Sequence, residues 1–214
     1  MEIVRAKHGP SEKRKKLVAK AKEDVMGLRF DEEKATQVAG CFLALRGGRM
    51  HYLKLIKLLY LLDRTSLIER GIPITTDRYV SMDHGPVVSN IYNLMIEDDP
   101  RMKPIWGKYI SPPLGDYEIE LLVKDDLKPS RLSRTERRLI QRVFEEYGQR
   151  NRWDLRDYVL HRLPEWKNPH GSSIPITIAD ILHAGGETDE TEVRAVENEL
   201  DSIGSAESRL RRTA

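Results

Sequence analysis

The chain has 214 residues, of which 33% are charged and 39% hydrophobic, a composition typical of a globular domain that needs no metal or disulfide for its core. The formal net charge of +2 excludes a strong overall electrostatic field of either sign. A single cysteine, Cys41, excludes an intrachain disulfide and a cysteine zinc site, which fits a reducing cytoplasm.

The beginning of the chain is basic. Residues 1–29 contain nine lysines and arginines against four acidic residues. We predict a helical N-terminal arm, residues 1–30, that contacts an acidic partner through Arg14, Lys15 and Lys16; a solvated surface segment is the alternative. The arm lacks the apolar core of a signal peptide, and no apolar run in the chain is long enough to span a membrane. We therefore expect a cytoplasmic protein without membrane contact.

Two helices are predicted next. Asp31 is a suitable N-cap for an amphipathic helix that Gly47 and Gly48 end. The following segment, MHYLKLIKLLYLLDRTSLIERG, is the most apolar of the chain and leaves only a narrow polar stripe with Lys54 and Lys57. A helix that is apolar on most sides lies at the centre of its domain. The sequence thus predicts a compact helical domain around a central apolar helix.

The segment after Gly71 predicts a small amount of β-structure. Residues 79–82 are a candidate strand, and Pro86 is placed at the first position of a new helix, with Asp83 and His84 in the turn before it. Residues 106–110 and 117–123 are two extended runs around a proline–glycine turn, which is typical of a hairpin. The predicted fold class is therefore mainly α (α+β), with a small antiparallel sheet or hairpin.

The rest of the chain returns to helix. Ser133 and Glu136 form a capping box that begins an amphipathic helix ending at Gly148. Shorter helices are predicted over residues 154–162 and 177–183. Residues 187–201 contain seven acidic residues and one arginine. We predict an acidic C-terminal helical arm or tail, residues 186–214, with a thin apolar stripe in which Val196 and Leu200 are candidate contacts to the partner.

The stretch DHGPVVSNIY resembles an active-site loop but lacks the pattern of one. Ser89 lies in no nucleophile elbow, and no glycine-rich phosphate loop is present. The six histidines are scattered, so no metal or other cofactor is expected. We therefore predict a protein that is not an enzyme. A stripe of arginines on the helix after Ser133 is typical of a helix that binds phosphates. We nevertheless expect no nucleic-acid partner, because glutamates accompany the arginines and the net charge is small.

Three motifs, in this order, resemble the Panacea domain of bacterial and phage antitoxins. The first is KLIKLLYLLD, from Lys54 to Asp63; the second is HGPV, from His84, followed by Ile91 and Tyr92; the third is LHRLPEW, which ends at Trp166. The resemblance covers roughly residues 31–185. The third motif departs from the family pattern at Arg162 and Leu163, where an acidic residue is common.

The resemblance implies an antitoxin that neutralises a protein toxin, encoded by the adjacent gene, through direct binding. A proteolytic adaptor that delivers its partner to a protease, or a nucleic-acid-binding regulator, is the alternative. Lys54, Lys57, Asp63 and His84 are the candidates for partner binding or for a buried polar cluster. The motif residues expected to be structural are Leu58, Tyr60, Gly85, Pro86, Tyr92, His161 and Trp166.

Overall fold

The computed structural model describes residues 27–97, 99–123 and 128–212. The predictions for Arg14, Lys15 and Lys16, and for a helix in the first 26 residues, lie outside this part of the chain. The described residues contain the helices α1 (Glu32–Leu45), α2 (Tyr52–Arg70), α3 (Ser89–Ile96), α4 (Trp106–Tyr109), α5 (Arg134–Tyr147), α6 (Arg152–Asp154), α7 (Ile178–Ala184) and α8 (Glu190–Arg212). The strands are β1 (Arg49–His51), β2 (Tyr79–Met82), β3 (Gly85–Val88), β4 (Glu118–Glu120) and β5 (Ile174–Ile176).

Helix α2 is the centre of the fold, as its apolar sequence predicts. His51 caps its first turn by accepting a hydrogen bond from Leu53 N, and Gly71 ends it in the left-handed conformation with φ of 68°. Twelve of its residues are buried, and it packs against α1, α5, α7 and β3. The buried set includes three charged side chains, Lys54, Lys57 and Asp63.

The β-structure consists of two small antiparallel sheets. Strands β3, β2 and β5 form one sheet in that order, and β1 pairs with β4 in the other. Together with the helices they confirm the predicted class, mainly α with a small antiparallel sheet. Among the described residues, no helix combines the length and the apolar character needed to cross a membrane.

The prediction of a helix beginning at Pro86 is wrong, because Gly85–Val88 is strand β3 and α3 begins at Ser89. Gly85 has a φ of 91°, which lets Asp83 and His84 form a two-residue turn between paired strands. Ser89 N donates to Arg78 O, and this register turns the nitrogen of Pro86 away from β2. A proline at the edge of the sheet therefore removes no ladder hydrogen bond.

Asp77 explains why α3 begins where it does. Val88 at the N-cap position has no side-chain oxygen for the first turn of the helix. The buried carboxylate of Asp77 instead accepts hydrogen bonds from Asn90 N and Ile91 N, each at 2.8 Å. It also accepts one from Arg78 N at 2.6 Å. A residue twelve positions before Ser89 therefore caps the helix.

This capping carboxylate makes stability depend on pH. Burial raises the pKa of Asp77 from 3.8 to about 7, although hydrogen bonds from backbone N–H groups oppose this shift. The folded protein thus retains a proton that the unfolded chain releases, and this contribution to stability is lost as the pH rises through about 7. We expect the free energy of unfolding in urea to fall between roughly pH 4 and pH 7, and to fall less in Asp77→Asn. Equal pH dependence in the two proteins would contradict the prediction.

The predicted hairpin over residues 106–123 is only partly correct. Residues Glu118–Glu120 form β4, but Trp106–Tyr109 is helix α4 rather than a strand. One carboxylate oxygen of Glu32 accepts hydrogen bonds from Ile105 N at 2.9 Å and from Trp106 N at 2.8 Å. This long-range cap stabilises a helical turn, and it places the Trp106 side chain in the core with no exposed surface.

The segment between α5 and β5 is less regular than predicted. The capping box of Ser133 and Glu136 is present and begins α5, as predicted. The single helix predicted over residues 154–162 is instead a composite. It consists of the short α6, a π-helix (Leu155–Val159) and a 3-10 helix (Leu160–Arg162). Helix α7 begins after the N-cap Thr177, close to its predicted start.

Helix α8 packs along the body of the domain through the apolar stripe of the acidic segment. Val193 and Leu200 are buried, and Val196 packs beside Gly71. A Cβ atom on Gly204 would lie 2.2 Å from the carbonyl carbon of Gly27, so the two backbones are in close contact. The division of the chain at residues 30 and 185 stays a prediction.

Candidate functional site

Residues of the three sequence motifs meet where α2 crosses the β2–β3 hairpin. Lys57 is 3% exposed, and its Nζ donates hydrogen bonds to Gly85 O and Pro86 O, both at 2.8 Å. Burial lowers the pKa of Lys57 well below its usual value. A Cβ atom on Gly85 would lie 3.2 Å from the Cβ of Leu160 and 3.4 Å from Lys57 Nζ. Both this crowding and the positive φ favour glycine at this position.

The third motif attaches to the same hairpin. The rings of His161 and Trp166 stack with centroids 4.1 Å apart and an angle of 14° between the planes. Trp166 Nε1 donates to Met82 O at 3.1 Å, and Lys167 N donates to Ser81 Oγ at 3.2 Å. Burial, with the nearby charge of Arg156, lowers the pKa of His161. These contacts hold the segment from residue 160 to 167 against β2.

Glu165 connects the third motif to the first. Its carboxylate is buried, and Oε1 accepts hydrogen bonds from Tyr60 Oη at 2.8 Å and from Arg64 Nε at 2.6 Å. Burial, together with the charge of Glu165, raises the pKa of Tyr60 well above its usual value. Glu165 lies within the motif LHRLPEW, but no feature of the sequence indicated a role for it. We call Lys57, Tyr60, Gly85, His161, Glu165 and Trp166 the motif cluster.

A protein-family model described as antitoxin SocA-like, Panacea domain, matches residues 55–167. The matched range contains 113 of the 214 residues and includes every residue of the motif cluster. The chain belongs to this SocA-like antitoxin family. The family predicted from the sequence is therefore confirmed. No curated protein and no solved structure matches the chain.

Asp63, the last residue of the first Panacea motif, organises the chain between α2 and β2. Its side chain has no exposed surface and accepts hydrogen bonds from Ile74 N and Thr75 N, each at 2.9 Å. It also accepts hydrogen bonds from the hydroxyls of Thr75 and Tyr79. Burial raises the pKa of Asp63, while these donors oppose the shift. Asp63 therefore binds backbone within its own Panacea domain.

The other three polar candidates do not join Asp63 in one cluster. Lys54 Nζ donates to Gly148 O at the end of α5, and burial with the charge of Arg46 lowers its pKa to about 8. Lys57 binds the hairpin carbonyls described above. His84 is exposed in the hairpin turn, where its ring meets that of Trp153 edge to face, with centroids 6.4 Å apart.

The remaining predicted residues have different surroundings. Leu58 and Leu200 are fully buried, and Pro86 is buried in β3. Tyr92 and Val196 are partly buried against the core. A partner contact through Leu200 would require α8 to move, because its side chain has no exposed surface. The structural roles predicted for Leu58, Pro86 and Tyr92, and the partner contacts predicted for Val196 and Leu200, stay predictions.

A small cavity lies beside the motif cluster. A cavity of about 10 Å³ adjoins Lys57, His84, Trp153 and Arg156, which is room for about one water molecule. Within the described ranges, no three metal-ligating side chains come together. The motif cluster joins three segments of backbone, and we propose that this is its role.

Replacing Lys57 with methionine tests that role. We expect Lys57→Met to lower the free energy of unfolding by about 1–2 kcal/mol. The loss of two hydrogen bonds to Gly85 O and Pro86 O is partly offset, because a buried amine no longer has to be desolvated. Urea denaturation measures the loss, and hydrogen exchange should show faster opening of the β2–β3 hairpin.

Lys54→Met is the matched control, since Lys54 donates to a carbonyl at the end of α5 instead. Its effect on exchange is expected at α5 and not at the hairpin. Unchanged hairpin exchange in Lys57→Met would refute the role assigned to Lys57.

Proposed function

We propose that this protein is the antitoxin of a toxin–antitoxin system and neutralises a protein toxin in the cytoplasm by binding it directly. Membership of the SocA-like antitoxin family carries the proposal, because the match covers residues 55–167 and thus the three segments that build the domain. The buried contacts of the motif cluster support a scaffold role, since these side chains bind their own backbone and one another.

The mechanism we propose is occlusion. Buried contacts from Lys57, Asp63 and Glu165 stabilise the domain. The domain therefore presents a fixed outer surface to its partner. Fixed surfaces bind more tightly than mobile ones of the same area, because less conformational entropy is lost on binding. The antitoxin covers the active surface of the toxin and leaves the toxin otherwise intact.

Co-expression with the product of the adjacent open reading frame tests the proposal. The adjacent gene alone is expected to arrest growth, and the full chain is expected to restore growth and to co-purify with the gene product. Restored growth without a complex, or a complex without restored growth, contradicts neutralisation by direct binding.

A pulse-chase measurement separates occlusion from delivery to a protease. Occlusion predicts that the half-life of the toxin stays the same or lengthens when the antitoxin is present. A half-life that shortens, and that recovers in a protease-deficient host, would favour the adaptor mechanism instead.

A further inference from the structure

We propose that the segment from Arg152 to Arg162 forms a docking face for a carboxylate-bearing, acidic surface of the protein partner. The face consists of Arg152, Trp153, Arg156, Tyr158 and Arg162, and we call it the arginine–aromatic face. This inference rests on the proposed function and deepens it by naming the surface that binds the toxin.

Two large aromatic side chains are exposed on this short segment. Trp153 is 44% exposed and Tyr158 is 62% exposed. Single exposed apolar side chains are ordinary, but tryptophan, tyrosine and arginine together are the residues that contribute most to binding at protein interfaces. The composition of this face is therefore that of an interface centre.

The arginines of the face are held on its aromatic rings. The guanidinium carbons of Arg152 and Arg156 lie 4.9 Å and 4.6 Å from the ring centroid of Trp153. That of Arg162 lies 5.4 Å from the ring centroid of Tyr158. A stacked guanidinium keeps N–H groups available for a carboxylate, and it loses little further side-chain entropy on binding.

The backbone below the face is unusual and well anchored. Leu155–Val159 is a π-helix, a rare form that is frequent at functional sites. Asn151 caps its N-terminal side by accepting hydrogen bonds from Trp153 N and Asp154 N. Leu155 and Leu160 are fully buried on its inner side. The irregular backbone thus holds the exposed rings on a rigid base.

Charge favours an acidic partner. The face contains three arginines. Of these three, Arg156 is the one that forms an ion pair with the carboxylate of Asp157. Arg162 is exposed, so a carboxylate from a partner can reach its guanidinium and supply an acceptor in the geometry that this group prefers.

A protein surface fits this face better than a nucleic acid or a small molecule does. Nucleic-acid backbones require a continuous basic track, whereas Asp154 and Asp157 interrupt this segment and the chain carries a net charge of only +2. The cavity of about 10 Å³ beneath Trp153 is far too small for an organic ligand.

Binding measurements on full-length variants test the docking face, with the product of the adjacent open reading frame as the probe. Trp153→Ala is expected to weaken binding about 30-fold, and Tyr158→Ala at least about fivefold. Arg162→Glu is expected to weaken binding about tenfold and to reduce its dependence on salt. Tyr158 is the more exposed of the two aromatic residues, so its variant tests the face even if Trp153→Ala misfolds.

The chain offers matched controls away from the face. Tyr117 is 60% exposed, close to the value for Tyr158, and Arg138 is an exposed arginine on α5. Tyr117→Ala and Arg138→Glu are expected to change binding by less than about twofold. Thermal melts of each variant show that any loss of binding occurs in a folded protein.

The outcomes separate this inference from the proposed function. If the wild-type chain binds the probe and the three face variants bind it equally well, the docking face is overturned and the antitoxin proposal remains. No binding by the wild-type chain would overturn both. Retention of a labelled single-stranded RNA or DNA oligonucleotide that Trp153→Ala abolishes would assign the face to nucleic acid and refute the inference.

Discussion

Replacing Asp63 with alanine is expected to lower the free energy of unfolding by about 3–5 kcal/mol. Asp63 is fully buried and accepts hydrogen bonds from Ile74 N, Thr75 N and two hydroxyl groups. Alanine leaves two backbone N–H groups without acceptors inside the protein, and each such group costs about 1–3 kcal/mol. The cavity left by the carboxylate adds to the loss. Urea denaturation of the purified full chain measures it.

Two further variants separate the causes. Asp63→Asn keeps one carbonyl oxygen but presents an NH₂ group to N–H and O–H donors, so its effect is expected to approach that of alanine. Asp116→Ala makes the same change at an exposed position and is expected to cost less than about 0.5 kcal/mol. A loss below about 1 kcal/mol in Asp63→Ala would mean that water replaces the carboxylate at this site.

Local sequence signals predicted the elements whose caps are themselves local. Asp31, Ser133 and Thr177 each accept a hydrogen bond from the residue three positions later, so the start of α1, α5 and α7 can be found within one helical turn. Gly71 ends α2 in the same local manner. Periodicity then identified α2 as central, because almost all of its faces are apolar.

The errors occurred where the cap comes from a distant part of the chain. Pro86 has the local features of a first helical residue, but α3 begins three residues later because Asp77 supplies the acceptors there. Trp106 lies in a sequence typical of a strand, but Glu32 caps a helical turn at that point. Such long-range contacts leave no periodic signal in the sequence around the element they stabilise.

The candidate site shows the same limit. The resemblance identified Lys57, Tyr60, His161 and Trp166, and the structure brings all four together. Spacing alone placed Lys54 and Lys57 on one stripe of α2, yet their amines bind carbonyls of α5 and of the hairpin. Long side chains on neighbouring positions reach different elements, so a shared stripe does not imply a shared site.

Removing the carboxylate of Glu165 is the second change with a large expected effect. Glu165→Ala is expected to lower the free energy of unfolding by about 3 kcal/mol or more, because it leaves a buried tyrosine hydroxyl and a mostly buried arginine without their acceptor. The side chain of Arg64 is 18% exposed, so water compensates only part of the loss. Urea denaturation measures the effect, and tryptophan fluorescence reports whether Trp166 leaves the hairpin.

A double-mutant cycle with Tyr60→Phe determines how much of this loss belongs to the Tyr60–Glu165 hydrogen bond. Tyr60→Phe removes the hydroxyl and keeps the ring, so its own cost is expected to be about 1–2 kcal/mol. If the two groups act together, the double variant is expected to lose less than the sum of the single variants by about 1 kcal/mol or more. Additive losses would show that Glu165 acts mainly through Arg64, which links α2 to the third motif by charge.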